Sequence, residues 1–101
     1  MIRLLICIIV LFNVSSVSLD AEPDYAKWGA IAVKETQKRY QEKIVDYKHI
    51  GRSELAPNKS VEKFKLWLRG QEGNEFGVYV TITFDPSTEN IQSIQFDETT
   101  R

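Results

Sequence analysis

The most apolar stretch of the chain lies at its N-terminus. A basic start at Arg3 precedes residues 4–12, which carry no polar side chain, and small and polar residues follow as far as Ala21. This layout is typical of a secretory signal peptide. Because a membrane-spanning helix needs about 20 apolar residues, we expect residues 1–21 to be a signal peptide, cleaved after Ser18 or Ala21. The alternative is an uncleaved N-terminal anchor.

The next segment has the periodicity of one amphipathic helix of about four turns. Its apolar and aromatic residues recur at spacings of three and four, which is the period of a helical face. Asp24 stands where a carboxylate can cap the first turn. Gly29 lies on the apolar stripe despite its low helix propensity, which predicts a close approach to a sheet. The stripe consists of Tyr25, Trp28, Gly29, Ala32, Thr36 and Tyr40, and the opposite side carries Lys27, Lys34 and Lys38.

Four strands are predicted after the helix. Residues 44–51 are rich in β-branched and aromatic side chains, which favours a first strand, and residues 53–60 contain a Pro-Asn turn signal and are predicted to be a loop. Residues 63–69 and 76–84 alternate strictly between apolar and polar, which predicts two strands with one buried face. Residues 91–97 form the last predicted strand.

The alternation also predicts how these strands pair. The glycines within residues 70–74 favour a hairpin turn. The register is then the one that keeps all apolar side chains on one face, because a slip by one residue would reverse the faces. The predicted pairs are Leu68 with Phe76, Arg69 with Glu75, Trp67 with Gly77, Ile82 with Ile94, and Val80 with Phe96. Residues 22–101 are therefore predicted to form one α+β domain, an N-terminal helix packed on a four-stranded antiparallel β-meander.

Composition limits the chemistry of this domain. The 101 residues carry 13 Lys and Arg against 14 Asp and Glu, and 43% of them are hydrophobic, which excludes both a polycation and a disordered chain. The only cysteine, Cys7, lies in the predicted signal peptide, and His49 is the only histidine. Zinc needs three or four His or Cys ligands, so no metal site and no cofactor are predicted. We expect His49 to be a partly exposed strand residue and no catalytic residue to be present.

One row of side chains is a candidate ligand site. Lys63, Lys65, Trp67 and Arg69 fall on the polar side of the second predicted strand, about 6.7 Å apart. Cations that alternate with an aromatic ring suit a polyanion such as an anionic cell-wall polymer, lipid headgroups or nucleic acid. The alternative is a solvated face whose charges are paired locally, for example Arg69 with Glu75.

Four segments of the chain together resemble a known family. The sequence resembles the small exported YqzG/YhdC-like proteins of bacilli, a domain-of-unknown-function family, over nearly all of residues 22–101. This resemblance implies a secreted or envelope protein of a Gram-positive bacterium and transfers no catalytic residue. A helix before a β-meander is also similar to PepSY-like and cystatin-like architecture. The matching segments are Tyr25-Ala-Lys-Trp-Gly-Ala-Ile-Ala-Val33, Ile44-Val-Asp-Tyr-Lys-His-Ile-Gly-Arg52, Phe64-Lys-Leu-Trp-Leu-Arg69 and Glu75-Phe-Gly-Val-Tyr-Val80.

These observations lead to one expected function and two alternatives. We expect a non-enzymatic extracytoplasmic binding module for a protein or an anionic cell-envelope polymer, with no specific nucleic acid partner and no stable membrane span after signal cleavage. The first alternative is an inhibitor or chaperone-like partner of a secreted protease, which the PepSY-like architecture suggests only by analogy. The second is an enzyme of unknown type. The sequence leaves the oligomeric state open.

Overall fold

One helix and four strands account for the part of the chain that this computed structural model describes, residues 24–100. The elements are α1 (Ala26–Tyr40), β1 (Lys43–Ala56), β2 (Lys59–Arg69), β3 (Glu75–Phe84) and β4 (Ile91–Thr99). The strands form one antiparallel sheet in the order β1-β2-β3-β4. The predicted α+β class, a helix followed by a four-stranded antiparallel meander, is confirmed.

The predicted signal peptide, residues 1–21, lies outside the described residues. Within residues 24–100, no helix is long and apolar enough to cross a membrane.

The predicted buried stripe of α1 is confirmed. Trp28, Gly29, Ala32 and Thr36 are buried against the sheet, and the two tyrosines at the ends of the stripe are half-buried. Gly29 makes the expected close approach. A Cβ atom added there would lie 3.0 Å from Cζ of Tyr47 and 3.3 Å from the Phe64 ring, so the absence of a side chain lets α1 sit close to β1 and β2.

The predicted cap at Asp24 is wrong. The helix begins at Ala26, and Tyr25 occupies the cap position with a helical backbone (φ −78°, ψ −9°) and no side-chain cap. The Tyr25 carbonyl accepts the Gly29 N–H at 2.8 Å, while the Tyr25 ring stacks on His49 with ring centroids 3.8 Å apart. Packing of Tyr25 on the sheet thus sets the helix start, and Asp24 lies one residue too early to serve as its cap.

The predicted loop at residues 53–60 is also wrong in extent. β1 runs on to Ala56 and β2 starts at Lys59, so the loop shrinks to the turn at Pro57 and Asn58. Polar side chains continue the β1–β2 pairing, with Arg52 opposite Glu62. Proline is tolerated because it lies in the turn, where no ladder hydrogen bond is needed.

β1 is the most irregular of the four strands. Its pairing with β2 shifts register at three points, and the residues skipped are Val45, Ile50 and Leu55. A bulge inserts one residue into one strand and interrupts the alternation of faces. For this reason the sequence of β1 shows no clean period of two.

The predicted registers of the other strands are confirmed. β2 and β3 pair without interruption from Ser60 opposite Phe84 to Arg69 opposite Glu75. β3 and β4 pair as predicted at Ile82 with Ile94 and Val80 with Phe96, with one shift at the start of β4. We call the side of the sheet that faces α1 the inner face and the opposite side the outer face.

The hydrophobic core lies between α1 and the inner face of β2 and β3. The indole of Trp28 stacks on Phe84, with ring centroids 3.9 Å apart, and Tyr40 packs on Phe76 at 5.7 Å. This packing covers the inner face, whereas the described chain contains no element that lies over the outer face. The buried core residues are Trp28, Ala32, Phe64, Leu66, Leu68, Val78, Val80, Ile82 and Phe84.

Candidate functional site

The four predicted ligand residues lie together on the outer face. Lys63, Lys65, Trp67 and Arg69 alternate with the buried inner residues of β2, so they project from one side of a single strand. Successive members are about 6.7 Å apart along the strand. Lys59 begins the same row at the start of β2.

Two of the lysines lie over aromatic rings. The Nζ atom of Lys65 lies 4.2 Å from the Trp67 ring centroid and 5.1 Å from that of Tyr79, while Lys63 Nζ lies 5.1 Å from the Tyr79 ring. The negative face of an aromatic ring attracts a cation. Trp67 in turn lies opposite Gly77 on β3, which is buried. The row is therefore an aromatic surface with ammonium groups held close above it.

Arg69 forms an ion pair with the residue opposite it on β3. Its Nη2 and Nε atoms lie 2.7 and 3.0 Å from Oε2 of Glu75, the residue opposite it on β3. At this end of the row, the structure shows the local pairing of Arg69 with Glu75 that the sequence analysis gave as the alternative. The Arg69 guanidinium is therefore already partnered by a carboxylate within the described chain.

The register adds a cation that the sequence did not identify. Lys48 of β1 lies opposite Lys65 of β2, so two ammonium side chains occupy neighbouring positions on the outer face. The bulges of β1 hid this pairing, because they shift the face on which each residue lies. The acids of this part of the outer face are Asp46, opposite Trp67, and Asp97, opposite Tyr79.

The inner face carries a separate polar cluster, also missed by sequence reasoning. Glu62 is almost fully buried, and its two oxygens lie 2.7 Å from His49 Nε2 and 2.5 Å from Arg52 Nε. Buried charges need such partners. The alternation of β2 in the sequence already places Glu62 on the same buried side as Phe64, so this pattern could have predicted a buried carboxylate.

The groups of this cluster are partnered with one another and with the core. His49 is half-buried in a strand, as predicted, and its partners are Glu62 and the Tyr25 ring. A serine nucleophile would need to reach a histidine base, but the nearby Ser60 hydroxyl donates instead to Glu54. Across residues 24–100, no group of three or more His, Cys, Asp and Glu side chains is arranged to hold a metal ion.

The chain belongs to the family described as "Protein of unknown function (DUF3889)", whose profile matches residues 5–98. It is similar to the protein named "Uncharacterized protein YqzG" of Bacillus subtilis (strain 168), with 39% identity over 69 residues. That match covers 68% of this chain and 63% of the relative, so it spans less than two thirds of the relative's length. The expected resemblance to YqzG-like proteins is confirmed.

No solved structure matches the chain. The PepSY-like part of the expected resemblance is not confirmed by these comparisons.

Proposed function

We propose that this protein is a non-enzymatic, extracytoplasmic binding module whose outer sheet face binds an anionic polymer of the cell envelope. The observation that carries the proposal is the position of Lys48 directly opposite Lys65, with Lys63 next in the row. Like charges at directly opposite positions of a sheet destabilise the pairing. A ligand that brings negative charge to this surface would lower the repulsion between the two ammonium groups, in addition to the carboxylates of Asp46 and Asp97 on the same face.

The spacing of the lysines suits a ligand with repeated charges. Neighbouring strands lie about 4.8 Å apart, and alternate residues of one strand about 6.7 Å apart. An extended polyanion can therefore contact several ammonium groups of Lys48, Lys63 and Lys65 at once. The rings of Trp67 and Tyr79 offer a flat surface beneath them for the polymer backbone.

Retention on immobilised long-chain polyphosphate tests the proposal. The full chain should be retained at low salt and released as salt rises, because binding releases counterions. The double variant Lys63→Gln with Lys65→Gln should lower the slope of log affinity against log salt by about two.

The matched control carries the same loss of charge on α1. Lys34 and Lys38 are exposed on the helix, and the double variant Lys34→Gln with Lys38→Gln should keep the retention of the parent chain. Absence of retention in the parent, or an equal loss in both double variants, would contradict the proposal. Retention that does not fall as salt rises would also contradict it, because charge pairing with a polyanion weakens in salt.

A further inference from the structure

β4 is an open edge of the sheet. β3 lies on one side of it, and within residues 24–100 no strand lies on the other. In an antiparallel sheet, the backbone N–H and C=O groups of a strand point alternately toward its two neighbours. Half of these groups on β4 therefore point out of the sheet, where a further strand can pair with them.

β4 lacks the features that usually hinder such pairing. Bulges, lysines and prolines protect the edge of a sheet, and β1, the other edge, has three register shifts and the cations Lys43, Lys48 and Arg52. β4 contains no lysine, arginine or proline. Its pairing with β3 runs without a shift from Ser93 to Thr99. Of the two edges, β4 is therefore the one suited to a further strand.

The inner face of β4 carries two apolar side chains that α1 covers only in part. Ile94 and Phe96 are half-buried, whereas Ile82 and Val80, which lie opposite them on β3, are fully buried. The Tyr40 ring at the end of α1 contacts Phe96, with ring centroids 6.3 Å apart. A further strand with apolar side chains on the same face would extend the core past β4.

The sequence of β4 is complementary to itself. When two copies of β4 pair antiparallel about Gln95, Ile94 of each copy lies opposite Phe96 of the other, and Asp97 lies opposite Ser93. Opposite residues of an antiparallel pair lie on the same face of the sheet. The apolar pairs therefore stay on the inner face, and each Asp97 faces a neutral side chain.

The other registers that preserve the two faces are less favourable. A register centred on Phe96 places Glu98 opposite Ile94, and a register centred on Asp97 places that acid opposite itself, where like charges repel. A register centred on Ile94 brings the bulge at Gln92 opposite Phe96. The composition of β4 thus favours one register, centred on Gln95.

We propose that a second copy of this chain pairs with β4, antiparallel through residues 93–97, with Gln95 opposite Gln95 at a two-fold axis. Both copies use the same surface, so association closes at a dimer. The paired segment is short, and the dimer is weak and reversible.

Dimerisation through β4 does not depend on binding of a polymer by the outer face. It would nevertheless place the lysine rows of both copies on the same side of one continuous sheet. The two β2 strands would be five strand spacings apart, or about 24 Å.

Disulfide cross-linking tests the register. All variants are made in the full chain with Cys7→Ser, so that residues 1–21 are the same in each, and circular dichroism checks that each is folded. Gln95→Cys places the new thiols opposite each other, with about 4.5–5.5 Å between the Cα atoms, which a disulfide can span. We expect this variant to form a covalent dimer in a mildly oxidising thiol buffer.

Ser93→Cys and Asp97→Cys are the matched controls, since both residues are exposed on the same strand and the same face. In the proposed dimer, each lies about 14 Å from its own copy, which is too far for a disulfide. Neither variant should cross-link by itself. A mixture of the two should cross-link, because Ser93 of one copy lies opposite Asp97 of the other.

Sedimentation equilibrium measures the association without a cross-link. Gln95→Lys would place two ammonium groups opposite each other and should weaken dimerisation about three- to fivefold. Ser53→Lys adds the same charge at an exposed position of β1, the other edge, and should leave dimerisation unchanged.

Three results would overturn the proposed dimer. They are a parent chain that stays monomeric up to about 1 mM, cross-linking of Ser93→Cys alone as fast as that of Gln95→Cys, and equal association of Gln95→Lys and the parent. No polyanion is present in these experiments. Retention on polyphosphate therefore tests the proposed function separately, and either proposal can fail without the other.

Discussion

The imidazole Nε2 atom of His49 lies 2.7 Å from an oxygen of Glu62, a carboxylate that is almost completely shielded from solvent. Arg52 approaches the second oxygen at 2.5 Å. The two cationic partners are not buried to the same degree as the acid, since 33% of the Arg52 side chain and 22% of the His49 side chain remain exposed, against 2% for Glu62. Because the acid is more deeply buried than its cationic partners, we expect substitutions of the acid and of a cation to lower the free energy of unfolding by different amounts.

Replacing Arg52 should lower the free energy of unfolding more than replacing Glu62 does. Arg52→Gln leaves the buried Glu62 carboxylate with His49 as its remaining partner, and we expect it to lower the free energy of unfolding by about 3 kcal/mol. Glu62→Gln leaves two side chains that can still reach water, and we expect a loss of about 1 kcal/mol. Urea denaturation of both variants measures the difference, and equal losses would contradict this account of the cluster.

We expect removal of the Thr36 hydroxyl to stabilise the protein. Thr36 is fully buried on α1, and its hydroxyl oxygen has no hydrogen-bond partner among the described residues. Thr36→Val keeps the shape of the side chain and removes the unpaired polar group, so we expect a gain of about 1 kcal/mol in the free energy of unfolding. Thr36→Ser is the control, because it keeps the hydroxyl and loses a methyl group, and it should be destabilising. A loss of stability in the valine variant would show that the hydroxyl is satisfied in solution.

The end of α1 offers a second stabilising change. Gln41 ends the helix in the left-handed conformation, with φ 57° and ψ 30°, and its N–H donates to the Gln37 carbonyl at 2.9 Å. Glycine adopts this conformation without steric cost. Gln41→Gly should therefore raise the free energy of unfolding, by at most about 1–2 kcal/mol, which is what the left-handed conformation costs a residue with a Cβ atom. Thermal melts of both variants and the parent measure the effect. Gln41→Ala retains the Cβ atom and should bring no such gain.

Tyr47 predicts a loss of stability at high pH. Burial raises the pKa of the Tyr47 phenol above its ordinary value of 10.0, and the nearby Tyr25 and Glu62 raise it further. Because the folded state disfavours the phenolate, this contribution to stability is complete below pH 10 and is lost as pH rises through the folded-state pKa.

Chemical denaturation across the alkaline range measures this effect. Tyr47→Phe should lose less stability above pH 10 than the parent chain does. The comparison is made against each protein's own stability at neutral pH, so that any change in packing cancels. An unchanged alkaline slope in the variant would contradict the assignment to Tyr47.

Much of the sheet could be predicted because alternation and register are local properties of the sequence. Phe64, Leu66 and Leu68 need one buried face, and the short turn before β3 leaves one pairing that satisfies them. The confirmed pair of Trp67 with Gly77 follows from this constraint. The placement of Lys63, Lys65 and Arg69 on one open surface follows for the same reason.

The first strand could not be predicted in the same way. A bulge depends on how a strand fits its neighbour. The sequence of β1 alone therefore does not show that Ile50 is an inserted residue. The neighbourhood of Lys48 and Lys65, and the exposure of Ile50 and Leu55, were therefore hidden. The start of α1 was mispredicted because the stacking of Tyr25 on His49 joins residues far apart in the chain.

The sequence by itself determined the α+β class, the buried side of each regular strand and the row of cations on β2, because each depends on spacing along the chain. The tertiary structure decided which cations of β1 join that row, which acid becomes buried and which residue begins the helix. Those properties arise from contacts between elements, where the burial of Glu62 and the bulges of β1 settle on which side of the sheet each charge lies.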